Sequence, residues 1–181
     1  MKIIECVPNF SEGRDKAIIK KITDAIESVS GVTLLDVDPG ADTNRTVFTI
    51  VGNPESVIEA AFSGIKKASE IIDMRKHSGA HARMGATDVC PFVPISDTTM
   101  DDCVEYSKIL AEKVGKELKI PIFLYEYSAA ISERENLADP YPREVRSPSW
   151  PGSPASRPPG RKDSADFRPH PTHPFGRRRG E

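Results

Sequence analysis

The chain has 181 residues, 38% of them apolar and 29% charged, with a formal net charge of −2. That apolar share suffices for one packed domain, and no run of about 18 apolar residues is available for a membrane-spanning helix. The start, MKIIECVPNF, lacks the apolar stretch and cleavage site of a secretory signal, and three scattered cysteines (Cys6, Cys90 and Cys103) fit neither a disulfide framework nor a paired-cysteine metal site, so a soluble protein of the reducing cytoplasm is expected.

KIIECVP (2–8) is a short apolar run closed by Pro8 and predicts a strand. Asp15 is placed to cap a helix whose apolar stripe is Ala17, Ile18, Ile22, Ala25, Ile26 and Val29, with Gly31 as its stop. Two β-branched runs follow, VTLLDVD (32–38) and RTVFTIVG (45–52), and the turn-rich PGADTN between them predicts antiparallel neighbours. Asn53-Pro54-Glu55 opens a second helix along Val57, Ile58, Ala61, Phe62, Ile65, Ala68, Ser69 and Ile72. DVCPFVPI (88–95), with Pro91 and Pro94, predicts an edge or bulged strand. A third helix is expected from about Met100 to Leu118, capped by Thr98 or Thr99, and IPIFLYEY (120–127) predicts a final strand. The order β-α-β-β-α-β followed by α-β predicts an α/β (α+β) sandwich. Its sheet is expected to be mixed and of the ferredoxin-like split β-α-β type, with helices on one face.

From Pro140 the composition changes. Nine basic residues stand against four acidic ones there, ten of the sixteen prolines are included, and few large apolar residues remain. Such a segment buries too little surface to offset its ordering entropy, so a folded body over 1–139 and a disordered tail over 140–181 are expected. Basic character alone would suit nucleic acid, but no aromatic residues are interleaved to stack bases, and no nucleic-acid partner is expected.

Three polar loops are richer than connection requires: 9–14, 36–45 and 75–85, the last holding both histidines of the body, His77 and His81. Their spacing suits two ligands on a helix, but HSGAH lacks the Glu of a zinc-protease motif and carries Gly79 between the histidines, so no metal is expected. The cysteines fall in predicted strands and a helix, where free thiols act as small hydrophobes. Imidazole general acid/base chemistry, flanked by arginines suited to carboxylates, stands beside the alternative of an ordinary polar loop.

Four segments in order, ECVPNFSEGR (5–14), LLDVD (34–38), TNRTVFTIVG (43–52) and HSGAHARMGATDVCPFVP (77–94), closely resemble the amino-terminal subdomain of glutamate formiminotransferase. The likeness continues through YEYSAAISERENLAD to Asp139. The resemblance implies transfer of a formimino group from N-formimino-L-glutamate to tetrahydrofolate, the folate-binding co-substrate step of histidine breakdown, with no metal. The histidine opening the family's H-x-R-M-G motif is its acid/base catalyst, here His81. By chemical inference Asp38 would orient an imidazole or a substrate nitrogen, Arg45 and Arg83 would bind glutamate carboxylates, and His77 would be structural.

The family also has a D-F-G-P folate loop and then a second αβ subdomain that forms the other wall of the folate cleft. Asp166, Phe167 and Pro169 stand where that loop would fall, with Arg168 in place of its glycine. Two readings follow. In the first the chain is a transferase, alone or completed by a separate second subdomain or a homodimer. In the second it is a truncated, non-catalytic subdomain that folds and binds folate weakly or associates with a partner. The expectation is that it cannot complete catalysis unaided, and that the tail departs from the ancestral reading frame by frameshift, fusion or splicing.

Overall fold

The computed structural model describes residues 1–81 and 84–135, the side chain of Glu133 excepted. The strands are β1 (Ile3–Cys6), β2 (Asn9–Phe10), β3 (Val32–Gly40), β4 (Arg45–Gly52), β5 (Thr87–Val89) and β6 (Phe92–Ser96). The helices are α1 (Lys16–Glu27), α2 (Pro54–Ile71) and α3 (Met100–Leu118).

Proline organises the sheet. Pro8 separates β1 from β2, yet both pair with β4, so they act as one ribbon with a break. Pro91 likewise separates β5, which pairs with β2, from β6, which pairs with β1. With β3 on the far side of β4, the ribbons run β3, β4, β1/β2, β6/β5. This is the split β-α-β arrangement expected. Each crossover skips a ribbon, so every pairing among the described residues is antiparallel, where a mixed sheet was expected. The segment 88–95 is an edge ribbon, as its prolines imply, but in two pieces rather than one.

Local chemistry sets the helix starts. Asp15 accepts from the Ala17 and Ile18 amides, and Asn53 from the Ser56 amide with Pro54 in the first turn. Thr99 and Asp102 cap each other's backbone reciprocally at α3. Replacing Asn53 with Ala leaves that amide without its acceptor, and should cost about 1 kcal/mol in chemical denaturation.

The three helices lie side by side on one face of the sheet, with α2 between α1 and α3. Ile4, Cys6, Phe48 and Ile50 point into this layer, against Ile22 and Ile26 of α1 and Val57 and Ala61 of α2, all fully buried. On α1 the inward position is Ile19 rather than the expected Ala17, which is exposed.

The predicted strand over 120–127 does not form. Pro121 cannot donate to a ladder, Ile122 is exposed, and Glu126 takes φ +51°, opening a short 3₁₀ turn at Glu126–Ser128. The expected tail over 140–181 lies outside the described residues.

Among the described residues no helix covers the other face of the sheet, and none is long and apolar enough to cross a membrane. Strict alternation sends Arg45, Val47, Thr49 and Val51 of β4 to this open face. Directly opposed partners share a face, so Asp36 and Asp38 of β3 join them through Thr49 and Val47, and Glu5 of β1 through Val51.

Candidate active site on the open face

The three polar loops converge on one residue. Asn44, in the turn between β3 and β4, is buried and sits at φ +51°, a left-handed conformation that Asn tolerates better than most residues. Its side-chain oxygen accepts from the Gly13 amide at 2.9 Å, and its amide nitrogen donates to the Ser78 carbonyl at 3.0 Å. Its backbone carbonyl meets His77 Nε2 at 2.8 Å. The Ala80 amide also donates to the Asp42 carbonyl, at 3.0 Å. Contact is so close that a Cβ on Gly79 would lie 2.2 Å from the Thr43 carbonyl oxygen, which only glycine avoids. Ser11 closes the cluster by donating from its hydroxyl to the Gly85 carbonyl at 2.6 Å.

This packing fixes both ends of the segment carrying His81. The imidazole Nε2 lies 2.8 Å from Asp88 Oδ2, and Arg45 Nη2 lies 2.7 Å from the same oxygen. The Asp88 side chain is 3% exposed, whereas that of His81 is 36% exposed, so the carboxylate is buried and the ring opens to solvent. Asp88 owes its aim to an irregularity. Asn9 pairs with Val89 and the next residue, Phe10, with Thr87, leaving Asp88 as the extra residue of a bulge. Bulges redirect side chains in this way beside functional sites.

A buried carboxylate needs compensation, and the Arg45 guanidinium supplies it as a permanent cation. Arg45 Nε is buried with no hydrogen-bond partner among the described residues. With Nε2–H donating to Asp88, Nδ1 of His81 keeps its lone pair for an incoming proton. Such a dyad can accept a proton at one atom and return it to another.

The structure brings His81 and Arg45 together on a shared carboxylate and puts Asp38 on the same face, exposed, opposite Val47. The carboxylate that holds the imidazole is that of Asp88, which composition and spacing did not single out. The available signal was an acidic residue inside the otherwise β-forming TDVC, just after the histidine loop. His77 has a different setting, buried and turned towards Asn44. No group of three or more His, Cys, Asp or Glu residues is placed to hold a metal ion among the described residues. Arg83, Asp166, Phe167 and Pro169 lie outside the described residues.

Residues 3–172 match the family described as the formiminotransferase domain, N-terminal subdomain. The chain belongs to this family. Among curated relatives, a glutamate formimidoyltransferase of Streptococcus pyogenes serotype M1 is 59% identical over 137 residues, 76% of this chain and 46% of that protein. One from Thermoplasma acidophilum is 50% identical over 138 residues, again 76% of this chain and 46% of the relative. A formimidoyltransferase-cyclodeaminase of Dictyostelium discoideum is 54% identical over 136 residues, 75% of this chain and 25% of that protein. The chain thus spans less than half the length of these relatives. As a member of this family it is read as a formiminotransferase subdomain.

Proposed function

We propose that this chain supplies the catalytic wall of a glutamate formimidoyltransferase, moving the formimino group of N-formimino-L-glutamate to tetrahydrofolate in histidine degradation. The observation that carries the reading is the His81–Asp88–Arg45 arrangement on the open sheet face. As folate N5 attacks the formimino carbon it loses a proton, and the departing glutamate nitrogen gains one. His81 Nδ1 takes the first proton and delivers the second, while Asp88 and Arg45 hold the ring still. Asp38, on the same face, is suited to orient a substrate nitrogen. Arg45 and Arg83 are suited to the glutamate carboxylates, and Asp166, Phe167 and Pro169 to folate.

An open face leaves substrates in water, where reacting groups are poorly preorganised. A second subdomain, separate or in a homodimer, is therefore the expected partner, and neither nucleic acid nor membrane is. The reading places the reaction in the cytoplasm. The alternative, a folded subdomain that binds folate weakly without catalysis, is separated by assay. Purified chain is mixed with both substrates, alone and fused to the remaining segment of the Streptococcus pyogenes relative. Equal amounts of glutamate and formimino-tetrahydrofolate from the fusion support the proposal; a folded fusion that transfers nothing overturns it. Within the fusion, Asp88→Asn should lower the transfer rate by up to about 10⁴-fold, the loss seen when the carboxylate that orients a general-base imidazole becomes an amide.

A further inference from the structure

Cys6 and Cys90 lie 84 residues apart in sequence, yet their Sγ atoms are 3.5 Å apart. Cys6 ends β1 with its side chain fully buried under the helices. Cys90 sits in the break between β5 and β6, with no ladder pairing of its own, and is only partly buried. The Val7 amide donates to the Pro91 carbonyl at 3.0 Å, which holds the two backbones side by side. Tyr125 feels the same surroundings: its phenol is pushed up by burial first, then by Cys90, Glu126, Cys6 and Asp88.

We propose that Cys6 and Cys90 form a reversible intramolecular disulfide when the protein meets a peroxide, making this pair a redox modification site between the end of β1 and the break between β5 and β6. A disulfide needs sulfurs about 2.05 Å apart, so the thiols must approach by roughly 1.5 Å. The unpaired backbone at Cys90 provides that movement without breaking a β1 ladder bond.

The order of events follows from access. Burial pushes the Cys6 thiol well up, so it is not the thiol that meets an oxidant first. The Cys90 thiolate attacks one peroxide oxygen, the O–O bond breaks, and hydroxide leaves and is protonated to water, which gives a Cys90 sulfenic acid. Cys6 sulfur then attacks Cys90 sulfur. The S–S bond forms, the S–O bond breaks, and the departing hydroxide leaves as water with the Cys6 proton. Two thiols are oxidised by two electrons and one peroxide is reduced to two waters. A small dithiol reverses the step by exchange. Cys103, buried in α3, makes no thiol contact and serves as internal control.

The test treats the folded full chain with hydrogen peroxide, then denatures and alkylates it. The expected product is a monomer lighter by about 2 Da before alkylation, with one alkylatable thiol instead of three. Peptide mapping should find the segment around Cys6 joined to that around Cys90, and dithiothreitol should restore all three thiols. Cys103→Ser should still form the bridge, while Cys90→Ser should not. Three unchanged thiols, oxidation of Cys90 beyond sulfenic acid without a bond to Cys6, or a bridge between two molecules would each overturn the proposal. Mapping of the unsubstituted protein decides the matter even if a variant fails to fold.

Discussion

Replacing Asn44 with Ala should destabilise the protein by about 3–5 kcal/mol, read from equilibrium denaturation. One buried and one partly buried bond vanish together, leaving the Gly13 amide and the Ser78 carbonyl without their partner. Each orphaned backbone group costs about 1–3 kcal/mol. Ala at φ +51° adds the penalty of a left-handed residue that has lost its local compensation. Asn44→Gly separates the two causes, since it relieves the backbone but not the lost bonds, and should retain part of the stability. Asn44→Asp keeps the acceptor for Gly13 and loses the donor to Ser78. A loss below about 1 kcal/mol for the Ala variant would show that the three loops are held by something else.

His81→Ala should lower formimino transfer by roughly 10²–10⁴, measured in the chain fused to a relative's remaining segment. Its midpoint of unfolding should stay near that of the parent, because the imidazole is partly exposed and Asp88, the carboxylate that holds it, keeps Arg45. Loss of activity with retained stability distinguishes proton transfer from structural support. Asn44→Ala predicts the opposite profile: stability falls first, and activity falls because the His81 segment loses its anchor. His77→Ala should resemble Asn44→Ala, since that ring is buried against the Asn44 carbonyl.

What was legible in the sequence depended on how far each residue's partners lie along the chain. The caps Asp15, Asn53 and Thr99 act within three residues, and their helices start where the spacing says. The order of ribbons was readable because turn chemistry and apolar period constrain neighbours. The apolar run 120–127 misled, because its pattern reports burial and not whether a sheet edge offers it a ladder; Pro121 weakens that option. The loops were recognisable as polar clusters, but their meeting at Asn44 is a long-range event with no local signature. Asp88 was hidden for the same reason. Its aim depends on a bulge created by pairing β5 with β2, distant in sequence. Family resemblance reached His81, while only the fold shows which carboxylate holds it.

Proton transfer through this site requires hydrogen on Nε2 of His81 and a free lone pair at Nδ1. Nitrogen-detected NMR of the histidine-labelled chain measures this directly, at a pH above the imidazole range, with His81→Ala assigning the signal. The arrangement predicts a single dominant tautomer with hydrogen on Nε2, and a shift towards mixed tautomers in Asp88→Asn. Hydrogen on Nδ1, or a His81 signal that is the same with and without the Asp88 carboxylate, would contradict it.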